Sequence, residues 1–244
     1  YNTLIGGQAG DALTTGSYNV AIGTSALGTE DAHGTNIAIG FWALKVQNAG
    51  VNAYNVAIGH EAGKSVSTGA NNTIMGGLAG DALTTGNYNV AVGNHALGAE
   101  DAHSKNTAIG YGTLSVQNAG NDAYNTAVGY LAGQAISTGL YNTIVGGNAG
   151  LALTTGSYNV AIGKSALSSE TAYGTNIAIG RNALYTQNAG ANAYNVAIGQ
   201  DAGDALTTGI ENILMGNSAG GSITSGGHHV AIGHEALATE DVRS

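Results

Sequence analysis

The 244-residue chain has no cysteine, no proline, one phenylalanine and one tryptophan. Without cysteine there is no disulfide framework, no thiolate metal site and no thiol nucleophile. Glycine is abundant but irregularly spaced, and proline is missing, so a collagen triplet is excluded. Charge is scarce too: six Lys+Arg stand against fifteen Asp+Glu, a net charge of -9. That balance argues against a nucleic acid or an anionic membrane surface as partner, since either wants clustered basic residues. No apolar run approaches the ~18 residues of a membrane helix, so no membrane insertion by this segment is expected. A single Phe and a single Trp cannot anchor an ordinary globular core. Yet 43% of residues are hydrophobic, which sets the chain apart from disordered sequences.

What the sequence has instead is a counted repeat. "YNVAIG" at 18–23 returns as "YNVAVG" at 88–93, "YNTAVG" at 124–129 and "YNVAIG" at 158–163 and 194–199. Aligned on the Asn of N-x-x-x-G, the units start at Asn2, Asn19, Asn36, Asn55, Asn72, Asn89, Asn106, Asn125, Asn142, Asn159, Asn176, Asn195 and Asn212, with His229 in the Asn place of the last. The steps run 17, 17, 19 and 17, so four units make a 70-residue super-repeat. Super-repeats cover 2–71, 72–141 and 142–211, with a partial copy over 212–244, and the whole of 1–244 reads as one array. Gly follows each of the fourteen starting positions by four residues, and Ala follows by seven in thirteen of them, Thr113 being the exception. The residue eight places on is Gly or Leu, in the order Gly, Leu, Leu, Gly.

A period of 17–19 residues with a short strand in each unit is one coil of a parallel β-solenoid, an all-β fold of about 14 coils. Equivalent residues of successive coils then stack about 4.8 Å apart, which over the whole array gives roughly 65 Å. Side chains alternate along a strand. In "NVAIG" the first and third residues after Asn are expected to fill the core, and the Ala between them to allow close packing on the other face. Gly ends the strand where the backbone bends. Asn19, Asn36, Asn55, Asn89, Asn125, Asn159 and Asn195 are expected to form a buried amide ladder, with Gly23, Gly40, Gly59 and Gly93 as the turning column beside it. The Tyr before many of these Asn residues is placed to stack at the same corner. A flat face of small residues suits a neighbouring chain better than water, which points to a homo-oligomer, most simply an intertwined or side-by-side homotrimer. The pattern opens in mid-unit at Tyr1-Asn2, as expected of a piece of a longer protein.

Repeated down the chain, N-x-A-I-G-x-x-A resembles the head repeat of trimeric autotransporter adhesins of the YadA type. The chain is still more similar to the "NTAIGYxAG…TTGxxNTAIG" arrays of phage tail fibres. The adhesin repeat is shorter, so the loops here are longer. The resemblance implies left-handed parallel β-rolls assembled as trimers, in an extracellular setting: a virion tail fibre or a bacterial cell surface. It implies a structural fibre segment for host or surface attachment, first a phage tail-fibre shaft or receptor-binding region, alternatively the head of a bacterial adhesin.

Sites of chemistry are sparse. "NVAIGTSALG" lacks the G-x-G-x-x-G spacing of a dinucleotide loop, and neither enzymatic activity nor a cofactor is expected. The turns at Glu30-Asp31-Ala32-His33 and at 100–103 offer Asp31, His33, Asp101 and His103 as weak metal ligands; the third copy reads Glu170-Thr171-Ala172-Tyr173. Solvated turns are the plainer reading. A cross-chain carboxylate pair, as in a polysaccharide-cleaving tailspike, has no particular residues to recommend it. Ice binding is disfavoured because Thr pairs such as Thr14-Thr15 recur mainly once in four coils. The positions just past each Gly vary most. Phe41, Trp42, Tyr111 and Arg181 hold equivalent places there in the 19-residue coils, and aromatic and Arg side chains suit contact with a cell-surface glycan or protein receptor.

Overall fold

The computed structural model describes residues 1–102 and 104–239. Among them there is no helix, and so none long and apolar enough to cross a membrane. The fold is an all-β parallel solenoid, and the chain divides into two compact units, Tyr1–Tyr124 and Asn125–Ser244. The first unit holds the strands Thr3–Ile5, Val20–Ile22, Ile37–Ile39, Val56–Ile58, Thr73–Met75, Val90–Val92 and Thr107–Ile109. The second holds Thr126–Val128, Thr143–Val145, Val160–Ile162, Ile177–Ile179, Val196–Ile198, Ile213–Met215 and Val230–Ile232. In each unit the strands pair in chain order, parallel and in register: Val20 with Ile37, Ala21 with Ala38, Ile22 with Ile39, and likewise onward.

The strands face the opposite way from the sequence expectation. The middle residue of nearly every strand is fully buried, as at Ala21, Ala38, Ala57, Ile74 and Ala197, while the flanking Val and Ile are half-buried or exposed. Each coil has only one three-residue strand, so its interior is too narrow for two aliphatic columns. Ala points in, and Val20 and Ile22 point out. The interior is completed by the Ala seven residues after the Asn and by the residues eight and eleven after it. Ala26 and Leu27 fill it in the second coil, Ala62 and Val66 in the fourth.

Core volume is balanced along the chain. Where the strand centre is large, as at Leu4, Ile74, Ile144 and Leu214, the position eight after the Asn is Gly: Gly10, Gly80, Gly150 and Gly220. A Cβ on Gly10 would lie 2.8 Å from both Leu4 and Leu13 side chains. In the second and third coils the centre is Ala and that place is taken by Leu27 and Leu44; in the fourth both are small, Ala57 and Gly63, and a Cβ on Gly63 would meet Ile74 and Leu44 of the neighbouring coils at 2.9 and 3.2 Å. The tight winding also uses left-handed backbone at three places per coil: the residue before the Asn (Tyr18, φ 64°), the sixth after it (Ser25, φ 52°) and the eighth (Leu27, φ 52°). Non-glycine residues adopt this region rarely; here the recurring coil-to-coil hydrogen bonds hold it in place. Leu27 N, for example, donates to Ala43 O at 3.0 Å.

Candidate functional site

The Asn column is the internal polar scaffold. In the first unit, Asn19, Asn36, Asn55, Asn72, Asn89 and Asn106 each donate a backbone N–H to Oδ1 of the Asn one coil earlier, at 2.9–3.1 Å. The second unit repeats this from Asn142 through Asn212, with His229 N donating to Asn212 Oδ1 at 3.0 Å. The amide's other end closes the coil. Asn55 Nδ2 donates to Gly69 O at 2.7 Å and Asn72 Nδ2 to Gly86 O at 2.8 Å, fourteen residues on. One side chain therefore both fastens its own turn and receives the next strand.

The 19-residue coils depart from this scheme. Their longer loop moves the usual carbonyl away, and Nδ2 of Asn36 and Asn176 has no protein partner. The glutamine of the same coil bonds onward to the next: Asn55 Nδ2 donates to Gln47 Oε1 at 2.8 Å, and Asn195 Nδ2 to Gln187 Oε1 at 3.1 Å, each beside its usual carbonyl. Gln47 sits eleven residues after its Asn, as Glu30 and Val66 do in the neighbouring coils. The column reads Leu13, Glu30, Gln47, Val66 in the first super-repeat and Leu153, Glu170, Gln187, Leu206 in the third.

The Glu30 turn is thus not simply a solvated turn. Glu30, Glu100 and Glu170 are fully buried. Glu30 Oε1 accepts from His33 N at 3.2 Å, and Glu170 Oε1 accepts from Thr171 N at 3.1 Å and Tyr173 N at 3.3 Å. Burial pushes both the Glu30 and the Glu170 carboxyl above the usual carboxylate range, because water no longer solvates the charge. Asp81 and Asp204 are raised for the same reason. Half-buried Glu61 moves down, held by a hydrogen bond from Lys64 Nζ at 2.6 Å.

A raised folded-state pKa contributes stability that is present below the unfolded value, near 4.5 for Glu, and lost as pH rises through the folded value. The chain should therefore melt at a higher temperature near pH 5 than near pH 7.5. Glu170→Gln, which copies Gln187 in the next coil, should raise the melting temperature at pH 7.5 by a few degrees and flatten that slope. Thermal melts of both proteins across this range check it.

The residues just past the Gly column lie on the surface. Phe41 is 39% exposed and Tyr111 51%. Phe41 stacks with Trp42 (centroids 4.6 Å) and with His60 (5.2 Å), the residue at its own place in the next coil. Lys45 Nζ lies 3.7 Å from the Trp42 ring centroid, a cation–π contact. Trp42 and Lys45 form one side of an open cleft of about 330 Å³, completed by Gln8, Asp11, Ser25, Gly28 and Thr29. In the second unit Arg181 is engaged rather than free: its Nη2 donates to Asp201 Oδ2 at 2.9 Å, and Asn182 Nδ2 donates to Asp201 Oδ1 at 2.9 Å.

Of the metal candidates, Asp31 is exposed and His33 half-buried beside Glu30, while Asp101 is exposed and His103 lies outside the described residues. The sequence reading named Glu30 with its turn but did not anticipate that its side chain is buried. Its signal was its place eleven after the Asn, where Glu30 and Gln47 stand between the apolar Leu13 and Val66. The Tyr residues before the Asn column are exposed and stack where neighbours are both aromatic: Tyr1 with Tyr18 at 5.2 Å and Tyr141 with Tyr158 at 5.1 Å. No family model, no curated protein and no solved structure matches this chain.

Proposed function

We propose that the chain is a non-enzymatic structural segment of an extracellular attachment fibre that works as a homotrimer, most specifically a phage tail-fibre segment. The observation that carries this reading is the outer face of the strands. None of the fourteen strands contains a charged residue, and their two outward columns are Val, Ile, Thr or Met throughout. Several are well exposed in the single chain, among them Ile5, Ile109, Ile177, Ile213 and Met215. An apolar face that recurs on coil after coil is too regular to be incidental. Full burial of each Val or Ile is worth about 1.5–3 kcal/mol. A covering partner must present matching apolar rows at the same spacing of about 4.8 Å from coil to coil, and further copies of this chain do so. The cleft beside Trp42, with aromatic, amide, hydroxyl and charged groups together, supports a receptor contact at that corner.

The test is sedimentation equilibrium. The chain is expected to run at three times its 24.0 kDa mass. A variant carrying Ile58→Lys and Ile198→Lys, one outward position in each unit, is expected to run as a monomer with an unchanged β-sheet circular dichroism signal, since neither residue fills the interior. A monomeric parent chain would refute the trimer. Full retention of binding to its target cell by Trp42→Ala would refute the receptor contact.

A further inference from the structure

The Glu30 turn gathers three donor side chains of two chemical types. Glu30, Asp31 and His33 each offer one ligand atom, and these atoms lie within 4.8 Å of one another. His33 Nδ1 stands 3.9 Å from Glu30 Oε1, too far for a hydrogen bond. The backbone uses only part of the group's capacity: His33 N donates to Glu30 Oε1, and Ala32 N donates to Asp31 Oδ1. Glu30 is fully buried, yet its Oε2 has no partner, and the buried His33 Nδ1 has none either. A buried carboxylate oxygen left without a donor is costly, and so is a buried ring nitrogen.

We propose that Glu30, Asp31 and His33 bind a divalent transition-metal cation of the zinc class. Such an ion sits about 2.0–2.2 Å from imidazole nitrogen and carboxylate oxygen, so small side-chain rotations bring all three atoms to one centre. One imidazole with two carboxylates suits zinc and its neighbours; calcium takes six to eight oxygens, and this turn does not supply them. Asp31 is exposed and the His33 side chain is 32% exposed, which leaves the ion a path in and room for a water ligand.

The third super-repeat supplies an internal comparison. Glu170 is buried in the same way with Oε2 likewise without a partner, but Thr171 and Tyr173 replace the other two donors. The coil geometry therefore fixes the carboxylate by itself. Asp31 and His33 are what complete a ligand set.

Isothermal titration of the chain with zinc chloride, at neutral pH and micromolar concentrations, tests this. The parent chain is expected to bind zinc, and His33→Ala and Asp31→Asn each to bind one equivalent fewer. The double substitution Thr171→Asp with Tyr173→His is expected to bind one equivalent more. That gain decides the matter even if His33→Ala fails to fold by circular dichroism. A parent chain that takes up no zinc, folded variants that lose none, or a folded double variant that gains none would each overturn the proposal.

Discussion

Gly40→Ala should cost roughly 3 kcal/mol or more of folding free energy, from backbone strain of about 1–3 kcal/mol plus a steric clash of similar size. Gly40 has φ +135°, and a Cβ there would stand 2.2 Å from Gly59 O and 2.6 Å from Gly59 C. Those atoms belong to the backbone of the next coil, so no side-chain rotation relieves the clash. A Cβ on Gly59 would in turn stand 2.4 Å from Gly76 O. The glycine column exists because successive coils lie too close for any side chain between them. Against a total stability of about 5–15 kcal/mol, one such change is large. Gly50→Ala is the control: Gly50 also has positive φ, at +71°, but nothing lies within 4 Å of its Cβ position. It should cost only about 1 kcal/mol, through strain alone. Urea denaturation of the two variants should separate their midpoints widely. Equal midpoints would mean that coil-to-coil contact is not what requires glycine.

Asn55→Ala should cost a comparable amount, about 3 kcal/mol or more, because several buried groups lose their only side-chain partner at once and each unsatisfied group costs about 1–3 kcal/mol. Asn55 Nδ2 serves Gly69 O at 2.7 Å and Gln47 Oε1 at 2.8 Å, while its Oδ1 accepts from Asn72 N at 2.9 Å and Asn72 Nδ2 at 3.2 Å. The alanine leaves two acceptors and a backbone donor stranded in the buried interior. Asn2, in the first coil, is exposed and makes the same kind of bonds, Nδ2 to Gly16 O and Oδ1 from Asn19 N. Water can replace its amide, so Asn2→Ala should cost well under 1 kcal/mol, within the usual range of surface changes. Amide hydrogen exchange adds a local reading: the Asn72 amide should lose protection in Asn55→Ala before residues several coils away do.

Much of this was legible in the sequence, because a counted period fixes which residues stack. The spacing of Asn19, Asn36 and Asn55 places them in one column, and the structure has that column at its centre. The direction of the strands was not legible. Alternation along "VAI" is the same whichever face points inward, and the larger side chains looked like the core. Two facts reverse that choice. The coil interior takes one side chain from each strand, Ala57 or, where a glycine makes room, Ile74, and the outer face is apolar as well. Hydrophobicity alone cannot rank two apolar faces. The burial of Glu30 was legible in principle, since Leu13, Glu30, Gln47 and Val66 share a column, but a charged residue in a turn ordinarily belongs to the surface. The stack of Phe41 on His60 could have been read the same way, both standing five residues after the Asn of their coils.

The inward placement of the strand centre is the claim on which the rest depends, and the absence of cysteine makes it directly measurable. Ala57→Cys puts a thiol at a fully buried position, and Tyr54→Cys puts one three residues earlier at a position 56% exposed in the parent chain. Labelling with a thiol reagent under native conditions should modify Tyr54→Cys at the rate of a free thiol. Ala57→Cys should react only as fast as the coil opens, and should reach the same rate as Tyr54→Cys once the chain is unfolded in denaturant. Equal rates for the two folded variants would contradict the account.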